Sequence, residues 1–400
     1  MRLLLILACV AFTSSLNAAW KRHTIDNTSS GADGVRLKDI NKDGLMDIAT
    51  GWEEGGLVRI YLHPGKTNVK QPWPSATVGH VKSPEDAVFA DIDGNGIADV
   101  ISSCEGKTRS VFVHWAPDSM EDLLDSTLWR TEVIPSLENQ SMWMFCKPEY
   151  IDDHSSLDLV VGSKGANASV GWLEAPDDAR QLKDWKWHPI YKAGWIMSIM
   201  TFDADQDGDQ DILVSDRKGT NSGVLLLENR VQQSQSPTSS QWIEHRIGPT
   251  GSEVLFLDWA RTPKSHGITF WVAVKPNVIW QLNADSPYQQ NWDQMTIEMP
   301  HWMSRSKAVR QGDIDLDGHP DLVVNCESAS DGKSGMAWLT LPQSNKALMV
   351  NPAFHDIAGP DGIKFDRIEL LDLDEDGDLD VMTCEERENL GVIWYENPSQ

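Results

Sequence analysis

The sequence predicts an all-β fold: a seven-bladed β-propeller of four-stranded blades, closed by the N-terminal strand completing the last blade. Three observations predict it. An acidic loop recurs along the chain, clearest at Asp372–Asp380, where carboxylates fall at positions 1, 3, 5 and 9 and Gly377 at position 6. An aromatic-led signature stands before each loop, and a second signature, usually centred on Trp, follows it. Seven such units recur with a period of about 55 residues, which describes one closed array better than a string of separate domains.

Each unit opens on its outer-strand signature: Trp20–Ile25, Trp73–Val78, Trp129–Ile134, Trp185–Ile190, Trp242–Ile247, Trp292–Ile297 and Phe354–Ile357. An apolar innermost strand then runs into the acidic loop. A second strand, such as Val381–Cys384, leaves it, so the loop is not the helix-flanked EF-hand kind. The third strand carries the second signature at Gly391–Pro398, Ser169–Pro176 and Gly335–Pro342, with looser copies ending at Pro64, Pro117, Arg230 and Ala284. Helical periodicity is confined to a short turn within Asp118–Leu128, and Gln232–Ser240 reads as a polar loop. The first strand signature is an outer one and the last is a third-strand one. The strand at Trp20 therefore completes blade seven, which leaves no free sheet edge and makes residues 20–400 one domain.

Residues 1–19 read as a secretory signal: Arg2, an apolar stretch Leu3–Phe12 too short to span a bilayer, and small residues near Ala18 and Ala19 for cleavage. This predicts a secreted or periplasmic protein without a membrane span. The net charge of −26 argues against nucleic acid, which needs a basic face. Cys104, Cys326 and Cys384 fall at nearly the same place in three units, four or five residues after the last loop Asp, and equivalent places in different blades lie far apart. These three and Cys146 are expected as buried free thiols.

The acidic loops predict metal. Asp39, Asn41, Asp43 and Asp47; Asp91, Asp93, Asn95 and Asp99; Asp203, Asp205, Asp207 and Asp211; Asp313, Asp315, Asp317 and Asp321; and Asp372, Asp374, Asp376 and Asp380 are the expected ligands. A hard cation such as Ca2+ takes six or more oxygens, and the glycine permits the sharp turn around it. Worn copies stand near Tyr150–Asp158 and near Asp258.

The loops resemble the FG-GAP and VCBS families of calcium-loop propellers. Gly31–Gly44, Asp47–Gly56, Ser83–Asp91, Ser215–Gly219 and Thr383–Glu386 are similar to the propeller domain of aldos-2-ulose dehydratase. That resemblance implies a keto-sugar substrate and a catalytic Zn2+ acting as Lewis acid in a propeller cleft. The family's cupin domains have no counterpart in this sequence.

The repeat geometry points independently to one face. Residues about six before the first loop carboxylate and about six after the last must share the end of the blades opposite the loops. The first set is Asp33, Glu85, Met144, Met197, Ser252, Lys307 and Asp366. The second is Glu53, Glu105, Lys164, Arg217, Lys275, Glu327 and Glu386. Arg36, Lys147, Arg310 and Glu369 lie three before the loop on the innermost strands. Mixed acids and bases around a central mouth suit a polar substrate, carbohydrate or keto-sugar. His23, His188, His245 and His355 fall in outer strands, and His63 and His114 in third strands, so all six are expected to be structural. His80 and His301 stand in loops on the charged face. His80 with Glu85, Glu105 or Glu53 is the expected zinc set. Trp52, Trp143, Trp195 and Trp302 fall on that face and could stack on a sugar or fill the core.

The chemistry that fits is elimination of water from a keto-sugar: a cation on the carbonyl oxygen, a base for the acidified C–H and an acid for the departing hydroxyl. A polysaccharide lyase would use the same parts, with Arg36, Arg217, Lys307 and Arg310 on a uronate carboxylate. A non-catalytic glycan- or protein-binding propeller is the alternative. It would be favoured by a mouth filled with Met144, Met197 and Trp143, or by full mutual pairing of acids and bases.

Overall fold

The computed structural model describes residues 19–152, 154–230, 241–261, 267–341 and 352–398. The expected signal, apart from Ala19, and the polar loop at 232–240 lie outside these residues. Seven four-stranded antiparallel sheets stand around a ring. Six are consecutive in sequence, from β2 (Ala32–Lys38), β3 (Asp47–Trp52), β4 (Leu57–Tyr61) and β5 (Ser75–Gly79) through to the sixth blade. The seventh is composite: β26 (Glu369–Leu371), β27 (Asp380–Glu385) and β28 (Gly391–Glu396) are joined by β1 (Lys21–Asp26). The closing register runs from Lys21 opposite Glu396 to Asp26 opposite Val392.

Five of the seven second strands are buried from end to end, as Asp99–Cys104 and Asp321–Cys326 show, because both of their faces pack on neighbouring blades. The outer-strand tryptophans Trp73, Trp129, Trp185 and Trp242 are at most 8% exposed. The indole N–H groups of Trp73, Trp129 and Trp185 donate to the carbonyls of Val69, Leu123 and Ala179, so their burial strands no polar atom. The outer-strand histidines are structural, as expected. His23, His188 and His355 stack on Trp394, Trp172 and Trp338, and His245 on Tyr288. The rings of His23, His188 and His245 bond Glu396, Glu174 and Glu228 at 2.6–2.8 Å, tying outer strand to third strand. His114 is buried between Ser102 and Thr131, and His63 lies against the carbonyl of Leu373. Cys104, Cys146, Cys326 and Cys384 are buried free thiols.

The short helical turn expected within Asp118–Leu128 is a single 3-10 turn, Met120–Asp122, capped by Ser119. One expectation needs correction. Asp258 is not in a loop. It lies inside the continuous strand Val254–Arg261, where it accepts the Gln311 N–H and pairs with Arg310.

Candidate functional site

The innermost strands are irregular where they meet the axis. In six blades their pairing with the second strand slips: between Asp33 and Arg36, Pro84 and Asp86, Trp143 and Phe145, Ile196 and Ser198, Val254 and Leu257, and Ser306 and Val309. A bulge re-aims side chains, and these bulges fall at Asp33, Glu85, Met144, Met197 and Lys307. Gly34 supplies the left-handed turn the first bulge needs, at φ +74°.

The re-aimed residues converge on a central cavity of about 460 Å³. Asp33, Glu53, Glu85, Glu105, Lys164, Arg217, Lys307 and Glu327 all line it, with Asp366, Met144 and Met197 from the same sequence sets. Met144 and Met197 form part of its wall without filling it. Glu386 stands just behind, bonded to the lining residue Lys364. The expectation for the two histidines of this face fails, and the tryptophans divide between their two expected uses. His80 and His301 are exposed and outside the lining, because the turns leading to the innermost strands direct Val81 and Met303 inward instead. Trp52 and Trp143 belong to the core, at most 1% exposed. Trp195 lines the cavity, but Lys164 and Arg217 lie against its ring at 4.7 and 4.4 Å, so the indole serves the cations rather than an open stacking platform. Arg36 and Arg310 lie nearer the acidic loops and line a second cavity.

Charge in the main cavity is sorted into two poles. At one, oxygens of Asp33, Glu53 and Glu85 lie within 4.8 Å of one another, and so do those of Asp33, Asp366 and Glu386. Lys307 Nζ sits 2.5 Å from Asp366, both groups being at most 5% exposed. Lys364 bonds Glu386, and Lys164 bonds Glu85 and Glu105. Burial raises the Asp33 carboxyl well above the usual range, helped by the charges of Asp366, Glu386 and Glu85. Burial pushes Asp366 the same way, but Lys307 outweighs it and holds that carboxylate low. Asp366 Oδ1 is buried with no donor to it, and a proton held on Asp33 supplies one. Glu53 is raised by burial and by Glu85 and Glu386. At the other pole Arg217 reaches Glu253 at 2.8 Å and Glu327 at 3.7 Å, and Lys275 bonds the same two carboxylates. Against the opposing effect of burial, Lys218, Arg217 and Lys275 bring Glu253 down to about 2.

The donors near the cavity do not fit zinc as expected. The converging set of Asp33, Glu53 and Glu85 contains neither imidazole nor thiolate, on which catalytic zinc sites are built, and His80 cannot join it.

The acidic loops lie at the opposite end of the blades. Position 6 is left-handed in all five, at Gly44, Gly96, Gly208, Gly318 and Gly377. Position 4 is left-handed too, at Lys42, Gly94, Gln206, Leu316 and Glu375. Carboxylate oxygens converge within 4.8 Å in three loops: Asp203, Asp205 and Asp207; Asp313, Asp315 and Asp321; Asp372, Asp374 and Asp380. Asp317 and Asp376 stay in the same turns, accepting the N–H groups of His319 and Asp378. In the first two loops no such triple forms among the described residues. Asn41 donates to Asp43 there, Asn95 to Asp93, and Arg180 occupies Asp93. Oxygens of Asp91, Asp313, Asp321 and Asp374 are buried without a hydrogen-bond partner, and so are both oxygens of Asp378. Such oxygen-only, partner-starved turns fit a hard cation. The ninth residue has a second duty. Asp47, Asp99, Asp158, Asp211 and Asp380 each accept an N–H seven residues earlier and another at or just beyond the end of the third strand, clipping the loop to its blade. The worn copy at Asp158 keeps this clip.

The repeat sets missed Glu253, Arg305, Lys364 and Arg387, and also Asp209 and Asp378 at the seventh loop position. Strand alternation carried a signal for two of them. Arg305 and Lys364 stand two residues before Lys307 and Asp366, on the same side of the chain.

Residues 39–102 match the family described as FG-GAP-like repeat. No curated protein matches the sequence. Among solved structures the fold is similar to a crystal structure of BBS1N in complex with ARL6DN, at a TM-score of 0.54 and 10% identity over 95% of this chain and 97% of that one. At that identity the likeness speaks for the architecture alone. Seven four-stranded blades make the chain a β-propeller, and residues 39–102 within it match the FG-GAP-like repeat.

Proposed function

We propose that the protein is a carbohydrate-active lyase that eliminates water from a keto-sugar in the 460 Å³ cavity. The observation that carries this reading is the Asp33–Asp366 pair. Two neighbouring carboxyls have environments that drive their protonation apart, one buried among acids and the other held by Lys307. Such opposed pairs are how one site keeps an acid and a base at a single pH. Asp366, ionised on Lys307, keeps Asp33 in its protonated form as the acid. The separate carboxylate Glu53, whose proton affinity burial raises, is the base that removes the proton beside the sugar carbonyl. The developing enolate oxygen faces Lys164 or Lys307. The electron pair forms the C=C bond as the C–O bond breaks, and the hydroxyl leaves as water with the proton from Asp33. The proton returns from Glu53 to Asp33 within the same cluster, whose oxygens lie within 4.8 Å.

The acidic loops hold Ca2+ as a structural ion in this reading. Export would place the protein where calcium is abundant enough to fill weak sites.

A second reading has its own support. Lys164, Arg217, Lys275, Lys307 and Lys364 are all engaged by carboxylates, as expected of a site that binds a glycan or protein without reacting. The test is ultraviolet detection of enone formation from 1,5-anhydrofructose by the purified mature protein and by Asp33→Asn. Turnover that D33N abolishes supports the lyase. No turnover by the wild type, together with saturable glycan binding, replaces it with the binding module.

A further inference from the structure

The channel along the propeller axis is divided. Phe145 and Phe256 meet edge to face with ring centroids 5.6 Å apart, and both line the main cavity from below. On their far side two guanidiniums lie over the same rings, Arg36 over Phe145 at 5.9 Å and Arg367 over Phe256 at 5.5 Å. Beyond this partition is the second cavity, of about 340 Å³, toward the acidic loops. Its charged lining is Arg36, Lys147, Arg310 and Arg367 against the single carboxylate Glu369.

Two of these cations are already satisfied. Arg36 is bidentate to Asp86 at 2.7 Å, and Arg310 bonds Asp258, Glu369 and the Ile368 carbonyl. The other two are not. Arg367 donates no hydrogen bond among the described residues. Its Nε is fully buried without a partner, and its one ion-pair contact is Glu369 at 3.8 Å. Lys147 makes no ion pair with any described residue. A guanidinium whose Nε is buried with its donor unmet is costly, and a planar or tetrahedral oxyanion is the ligand that meets it. The strain registers in Arg367 itself: burial and the neighbouring charge of Arg36 bring its proton affinity down to about 10.

We propose that this second cavity is an oxyanion-binding site in which Arg367 and Lys147 hold a phosphate, sulfate or sugar carboxylate. The proposal is independent of the elimination chemistry assigned to the main cavity. The aromatic pair separates this base-rich chamber from the main cavity, whose lining mixes acids and bases.

The test is isothermal titration of the full mature chain with inorganic phosphate, sulfate and glucuronate at fixed ionic strength. Lys147→Ala, Arg367→Met, Lys164→Ala and the exposed-site control Lys107→Ala are titrated in parallel. At least one anion is expected to saturate with a Kd at or below about 1 mM. R367M should weaken it by about tenfold and K147A by about fivefold, with K164A and K107A unchanged. Lys147 is half-buried and unpaired, so K147A remains informative if R367M folds poorly. Preference for phosphate or sulfate identifies a free oxyanion, preference for glucuronate a sugar acid, and either supports the site. No saturation, saturation indifferent to both K147A and R367M, or loss in K164A alone overturns it.

Discussion

Removing the ammonium of Lys307 should unfold the inner ring more effectively than any truncation at the surface. Lys307 and Asp366 are 4% and 3% exposed, and the charged atoms lie 2.5 Å apart. Lys307→Met keeps the apolar stem and leaves Asp366 ionised beside Asp33 and Glu386. Breaking a buried pair from one side costs about 3–5 kcal/mol, or two to four orders of magnitude in the folding equilibrium. The sign of the pH dependence follows from the two carboxyls. Asp366 is depressed in the folded wild type, so it contributes stability above its unfolded pKa and loses it as pH falls through the folded value. Asp33 is raised, so its contribution is full below its unfolded pKa and is lost as pH rises through the folded value. Without Lys307 both groups behave as raised acids. The K307M defect should therefore be greatest near neutrality and shrink as pH falls toward the unfolded carboxylate value of about 4. Urea unfolding followed by tryptophan fluorescence at neutral and mildly acidic pH measures it. Lys307→Met with Asp366→Asn should recover at least about 2 kcal/mol of the loss. A single-mutant loss below about 1 kcal/mol, or a double variant no better than the single, would refute the reasoning.

Other outcomes are equally specific. Ile25→Ala in the closing strand, where Ile25 is 1% exposed, should cost about 2–5 kcal/mol and expose β1 to limited proteolysis before any other segment. Chelation should lower the melting temperature, calcium should restore it, and Asp313→Ala should reduce the calcium-dependent part; a melting curve indifferent to chelator would remove calcium from the loops. Glu174 is lowered because Lys186 and His188 outweigh its burial, so its contribution is lost as pH falls through the folded value. Glu174→Gln should flatten that acid limb of a melting-temperature profile, and an unchanged limb would assign the acid sensitivity elsewhere.

The blade count, the strand order, the composite seventh blade and most of the main cavity's lining were legible before any coordinates. All of them follow from one repeated spacing. Counting six residues from each loop end locates a strand terminus, and strand termini of a ring converge whatever the side chains are. Pairing was not legible. Glu253 neutralises Arg217 and Lys275 from a neighbouring turn, and nothing in its spacing announces that. His80 was misplaced because spacing locates a loop but not the rotation of a residue within it; one position later, Val81 is buried. Arg36 and Arg310 were assigned to the wrong chamber because the aromatic partition depends on Phe145 and Phe256 meeting across blades, a contact without a sequence period.

The composite blade also sets an order of events during folding. Within the first six blades every strand pairs with its successor, so each sheet can assemble as soon as its own residues are available. The pairing of His23 with Trp394 must wait for almost the whole polypeptide, and loop closure over such a separation is slow. Until it happens, β28 offers an unpaired apolar ladder to any passing chain. The six residues Lys21–Asp26 are thus both the last piece to dock and the piece that ends the interval in which the molecule can be captured by a second copy of itself.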